Sequence, residues 1–154
     1  MTQCTIARTA EWFALARPEP TVQDFNAQLG VHCEEVSEML EELDGENIQL
    51  NVLIGTAQQA MHNLAEYLKN NSAENLVHVA RPLLFLDSLC DQVVTATGVA
   101  HTLNYEFVGA MKEVNASNFS KFDDEGNPIY NENKKVMKGP NYFKADLAQY
   151  LPVE

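Results

Sequence analysis

Through residues 1–120 this chain repeats apolar side chains at helical spacing and breaks the pattern only at runs of turn residues. That pattern restricts it to an all-α fold. Thr2 to Ala16 fits a short helix, ended by Pro18-Glu19-Pro20. Thr21 can cap a long second helix reaching about Leu43, closed by Asp44-Gly45. On it Val22, Phe25, Leu29, Val36, Leu40 and Leu43 recur on one stripe, which is expected to be buried. A third helix fits from Asn47 to Lys69 and stops at Asn70-Asn71-Ser72. Ala73 to Leu103 carries another long helical pattern with Pro82 inside it, which either kinks the helix or starts a new one at its first turn. A last helix spans Tyr105 to Asn118. After it, Asp123 to Pro128 and Asn131-Glu132-Asn133 bracket the β-compatible Ile129-Tyr130, as in a small hairpin or an ordered tail. The expected architecture is a single domain: a helical bundle of four to five helices over 1–120, then an irregular, basic C-terminal arm over 121–154.

Charge narrows the partners. Ten Lys and Arg stand against 22 Asp and Glu, a formal net charge of −12. Nucleic acids and anionic membranes are held by positive patches, so neither is an expected partner. No uninterrupted apolar run approaches the ~18 residues of a membrane span. The segment MTQCTIARTAEWF has no apolar core of the signal-peptide kind and carries Glu11 early. Three cysteines (Cys4, Cys33, Cys90) without CxxC spacing argue against a disulfide framework and a zinc knuckle. A cytoplasmic location is expected.

Two acidic clusters carry the candidate chemistry. In Cys33-Glu34-Glu35-Val36-Ser37-Glu38-Met39-Leu40-Glu41-Glu42, residues Glu34, Glu38, Glu41 and Glu42 share a helix face, with Glu35 at its edge. A solvated surface is the plain alternative. Yet no Lys or Arg occurs between Arg17 and Lys69, so the usual i,i+4 pairing is missing and the acids repel unless a cation offsets them. The second cluster is Asp87 and Asp91, one turn apart on the same face as Leu83, Leu84, Val94 and Gly98. Aspartate is a poor mid-helix residue and costly to bury ionised, so this pair is expected in a metal site, or else paired with Arg81 or hydroxyls.

If the two acidic helices face each other, about four carboxylates converge in the bundle. Two such charges ~4 Å apart repel by about 4 kcal/mol at an effective dielectric of 20. Hard oxygen donors without His or Cys suit Mg2+ or Mn2+. His32, His62, His78 and His101 are scattered without an HExxH pair, which argues against zinc. Magnesium sites commonly serve phosphorylated substrates, and half of the basic residues (Lys121, Lys134, Lys135, Lys138 and Lys144) lie near the end of the chain. Ser117-Asn118-Phe119-Ser120-Lys121 gathers hydroxyl, amide and ammonium groups, and Lys138 precedes Gly139-Pro140-Asn141-Tyr142.

With these motifs in order the sequence resembles the MazG-like all-α nucleoside triphosphate pyrophosphohydrolases, in particular the phage and bacterial phosphoribosyl-ATP pyrophosphohydrolase-like subgroup. Glu34-Glu35-Val36-Ser37-Glu38 matches its EExxE motif, Leu86 to Asp91 its second acidic motif, Val114 to Lys121 its SNxSK segment and Lys138 to Tyr142 its KGPNY-like stretch. Trp12 also fits the subgroup's first helix. In one departure, Ser88 stands where the wider superfamily's ExxD motif has glutamate, and Asp87 gives DxxxD instead. The resemblance implies Mg2+-dependent hydrolysis of a nucleoside triphosphate to monophosphate and pyrophosphate by a homodimer or homotetramer, in the host cytoplasm for a phage-encoded chain. It makes Glu35, Glu38, Asp87 and Asp91 metal ligands and Glu34 a water-orienting carboxylate, with Glu34 and Glu38 in catalysis. It gives Asn118 and Lys121 to the phosphates or the base of the substrate; Lys138 and Tyr142 are further substrate-binding candidates, Tyr142 by stacking. Alarmones or phosphoribosyl-ATP are alternative substrates. A non-catalytic acidic binding protein that mimics DNA, or a helical oligomerisation module, is the alternative outside enzymes.

Overall fold

The computed structural model of the chain describes residues 4–74, 76–131 and 135–153. Thr2, Glu132, Asn133 and Lys134, which entered the sequence expectations, lie outside the described residues. The protein is all-α: α1 (Thr5–Ala16), α2 (Val22–Glu41), α3 (Ile48–Asn70), α4 (Pro82–Thr102) and α5 (Phe107–Phe119) are followed by a 3-10 turn, Ala148–Tyr150. The chain divides into two compact units, Glu19–Ala80 and Met1–Pro18 with Arg81–Glu154.

The first unit is an antiparallel hairpin of α2 and α3. Thr21 begins α2 as expected, with a full capping box: its side chain accepts from the Asp24 N–H, and the Asp24 carboxylate accepts from the Thr21 N–H at 2.9 Å. Asn47 caps α3 by accepting from the Leu50 N–H. The face that α2 buries differs from the expected one. Asn26, Gly30, Cys33 and Ser37 are buried, whereas Val22 and Leu43 are exposed and Phe25, Leu29, Val36 and Leu40 only flank the seam. Small residues at spacings of 4, 3 and 4 let the helices approach until a Cβ on Gly30 would stand 3.0 Å from the Ala65 carbonyl oxygen and 2.9 Å from Lys69 Cγ. Close approach along a small-residue seam therefore took precedence over burial of the bulkiest stripe. Polar members of the seam are bonded across it. The Asn26 amide donates to the carbonyls of Ser72 and Glu74, the Ser37 hydroxyl donates to the Gln58 carbonyl, and the Gln58 amide donates to Ser37.

In the other unit α1 lies along α5. Thr9 donates to the Asn115 side chain, whose amide donates back to the Thr5 carbonyl. The Trp12 indole N–H donates to the Asn118 carbonyl at 2.9 Å, and its ring stacks on buried Phe122. Trp12 is thus a packing residue, while Phe13 sits at the surface against its edge. Pro82 opens α4 at its first turn, so the pattern that began at Ala73 is an irregular segment followed by a new helix. Asn104 ends α4 in the left-handed region (φ 56°), with the Tyr105 N–H on the Ala100 carbonyl, a Schellman closure. The expected hairpin in the arm is a single antiparallel bridge, Tyr130 to Val136.

One helix lacks a covered face. Of the residues of α4 only Ala100 is buried, and Leu83 is 79% and Val94 66% exposed. Asp87 and Asp91 are accordingly exposed as well, and no ion pair joins them to Arg81 among the described residues. The expectation of an apolar stripe buried within the chain does not hold for α4. By length and average composition α4 could cross a membrane, although its apolar runs are short, as in Leu83-Leu84-Phe85-Leu86. Two aspartates one turn apart oppose that, at about 3 kcal/mol each near a bilayer centre.

Candidate functional site

The EExxE residues lie on α2 in its second half. Glu35 and Glu38 are exposed and separated by three residues, hence one turn apart on the same side of the helix. Glu34 is half-buried and turned toward α3, where its Oε1 lies 2.6 Å from Lys69 Nζ. Lys69 also reaches Glu66, one turn earlier on α3, at 2.7 Å. The cation that the acidic run requires is therefore present, supplied from the last turn of the neighbouring helix. Gly30 makes the reach possible: it stands one turn before Glu34, and the Lys69 stem crosses α2 over the space its missing side chain leaves. The two carboxylates hold the Lys69 ammonium above its ordinary proton affinity, the Glu34 hydrogen bond contributing most, and the same ammonium holds Glu66 below the usual carboxylate range. Beside them Cys33 is a buried free thiol that burial pushes up.

Lys69 is the residue that sequence reasoning passed over. A signal was available, since it is the first cation after Arg17 and stands at the end of a helix antiparallel to the acidic one. What spacing could not provide is the register of α3 on α2, which depends on the Gly30 seam.

The phosphate-binding candidates belong to the other unit and come together at the end of α5. Lys121 donates to the Asn118 side-chain carbonyl at 2.8 Å, and its ammonium lies 5.8 Å from the Trp12 ring. The KGPNY stretch returns to this point. The Gly139 N–H donates to the Lys121 carbonyl at 3.0 Å, and a Cβ on Gly139 would stand 2.7 Å from that oxygen and 2.8 Å from the Phe122 carbonyl. Ser117 donates to the Phe143 carbonyl, while the Phe143 N–H donates to Ser120. Lys138 sits over the Tyr142 ring at 4.6 Å. The two motifs, 17 residues apart between Lys121 and Lys138, thus form one knot. Lys121 spends one ammonium proton on Asn118 and has no ion-pair partner among the described residues, so two protons remain for an anion.

Acidic side chains occur as pairs rather than as larger clusters. Glu35 with Glu38 and Asp87 with Asp91 each present two carboxylates on one helix face, and among the described residues no three His, Cys, Asp or Glu side chains form one group. Pairs of hard oxygen donors suit Mg2+, which takes one or two protein carboxylates and completes its shell with water and substrate phosphate. Comparison with protein-family models, curated proteins and solved structures found no match to this chain.

Proposed function

We propose that this protein hydrolyses a nucleoside triphosphate, canonical or deoxy, to the nucleoside monophosphate and pyrophosphate with the help of Mg2+ or Mn2+, as a homodimer or homotetramer. The observation that carries the reading is the knot at the end of α5. Lys121, Asn118, Lys138 and Tyr142 converge from separate motifs, and the Lys121 ammonium keeps free valence for a phosphate.

Glu35 and Glu38, and separately Asp87 and Asp91, are the residues that would hold the metal, which when bound neutralises charge on the phosphates and the departing pyrophosphate. Asn118 and Lys121 bind the phosphate chain by charge-assisted hydrogen bonds, and Lys138 and Tyr142 close over the substrate at the same end. Within the α2–α3 unit, Glu34, which is outside the metal ligands, orients the attacking water, and Glu38 is the ligand whose loss would cost most. Oligomerisation belongs to the proposal because α4 exposes so much apolar surface in the single chain.

The test is phosphorus NMR of the purified protein with Mg2+ and a panel of ribo- and deoxynucleoside triphosphates, with Glu38→Gln as the blank. Monophosphate plus pyrophosphate is expected, at a rate that Glu38→Gln lowers by about 10² or more. Lys121→Ala is expected to weaken nucleotide binding about tenfold and leave Mg2+ binding unchanged. Turnover by Glu38→Gln at the wild-type rate would remove the acidic pair from the reaction. The exposure of Asp87 and Asp91 favours a second reading, a non-catalytic acidic protein whose carboxylates imitate a phosphate backbone. No turnover across the panel, including an alarmone and phosphoribosyl-ATP, would select it.

A further inference from the structure

We propose that Asp44-Gly45, in the loop from α2 to α3, is an isoaspartate-forming site that Asn51 holds closed in the folded hairpin. The inference goes beyond nucleotide hydrolysis and does not depend on it. An aspartyl–glycyl pair is especially prone to this change, because glycine has no side chain to shield its backbone nitrogen. Asp44 is exposed, and among the described residues no hydrogen bond or ion pair holds its carboxyl group. Gly45 is not readily exchanged for a safer residue. A Cβ there would stand 2.8 Å from Leu50 Cγ and 2.9 Å from Asn51 Oδ1. The tight passage of the chain into α3 thus keeps the susceptible pair in place.

The reaction needs the Gly45 nitrogen. It attacks Cγ of the protonated Asp44 carboxyl group, the amide proton and the carboxyl hydroxyl leave as water, and a succinimide ring closes between the two residues. Water then reopens the ring. Breaking the bond from nitrogen to the Asp44 backbone carbonyl carbon gives isoaspartate, and breaking the new bond to Cγ restores aspartate. No oxidant or cofactor enters, and the mass of the chain is unchanged. The structure engages both polar groups of Gly45. Its N–H donates to Asn51 Oδ1 at 2.7 Å, and its carbonyl accepts from Asn51 Nδ2 at 3.1 Å. Asn51 is fixed in turn at the start of α3, where its N–H donates to the carbonyl of the capping residue Asn47 at 3.1 Å. Ring closure therefore waits on local opening of the loop. Isoaspartate, once formed, adds a methylene to the backbone ahead of Gly45 and draws it off this seat.

The experiment ages the purified full chain for several weeks at mildly acidic pH, where part of the carboxyl groups is protonated, in buffer and in guanidinium chloride. Peptide mapping with electron-transfer fragmentation, which tells isoaspartate from aspartate at equal mass, follows residue 44. Asp44→Ala, which cannot close the ring, is the blank. Asn51→Ala removes both bonds to Gly45, whereas Asn51→Asp keeps an acceptor for its N–H, and circular dichroism establishes that each variant is folded. In the native wild type isoaspartate is expected to form at least about tenfold more slowly than in denaturant. Asn51→Ala should raise the native rate about tenfold, and Asn51→Asp should stay within about threefold of wild type. Equal rates in buffer and in denaturant, equal rates for wild type and Asn51→Ala, or an Asn51→Asp variant as fast as Asn51→Ala would each overturn the proposal. Absence of isoaspartate even in denaturant overturns it as well. Should Asn51→Ala fail to fold, hydrogen exchange of the wild-type Gly45 amide decides: protection is expected, and exchange at the rate of an open amide overturns the clamp.

Discussion

Gly30 sets how closely α2 and α3 approach. It lies in the seam of α2 against α3, its absent side chain admits the Ala65 carbonyl and the Lys69 stem, and Glu34 follows it by one turn. Gly30→Val would force both neighbours apart. We expect a loss of about 2 kcal/mol, the usual cost of overpacking a closed contact, outweighing the gain in helix propensity. Urea denaturation followed by circular dichroism measures it, and a variant as stable as the wild type would show that α2 and α3 can separate at no cost. Asn26 illustrates the same seam from its polar side. Fully buried, it uses its amide to close the two carbonyls of the loop after α3, though its own oxygen has no hydrogen-bond partner among the described residues. Neither residue stands out in the sequence, because small and polar residues are read as gaps in an apolar pattern.

At the scale of elements, the α2–α3 hairpin owes part of its stability to a charged clasp whose pH dependence has a definite sign. The folded state holds Lys69 above its ordinary value of 10.5, so this contribution is complete at neutral pH and is lost as pH rises through the folded value. Glu66 is held below its ordinary value of 4.5, so its share is present above that value and disappears as pH falls through the folded one. The melting temperature should therefore be flat across the neutral range and fall at both extremes. In Lys69→Met both of these linked losses should shrink, and a Lys69→Met profile parallel to that of the wild type would disconnect the clasp from the hairpin. Helix limits at this scale were legible: Thr21 as a cap and the break before Tyr105 follow from local chemistry that needs no tertiary contact, while Pro82, open between a kink and a first turn, took the first turn. The antiparallel pairing in the arm was legible too, since Tyr130 bridges to Val136 and the Met137 N–H donates to the Ile129 carbonyl; what local sequence did not show is that Tyr130 also donates to the Ala16 carbonyl and lies under Arg17.

For the molecule as a whole, the decisive feature is α4, which presents Leu83, Leu84, Leu86, Val93, Val94 and Val99 to solvent in the single chain. In the proposed oligomer a second copy would cover this apolar surface. We expect the wild type to sediment as a dimer or tetramer at micromolar concentration and Val94→Asp to shift it to a smaller species with a lower melting temperature. A wild-type monomer that is soluble and stable would sink the oligomer and leave α4 unexplained.

The sequence by itself determined the helical class, the helix starts and stops, and the membership of the acidic and basic motifs, because each depends on the residue and its neighbours within a turn or two. The register of α3 on α2, the choice of Gly30 and its small neighbours over the bulky stripe, the capture of Glu34 by Lys69 and the return of Gly139 to Lys121 were decided only by the tertiary structure. Those depend on how closely two backbones can approach, and that distance is a property of paired surfaces which no single helix encodes.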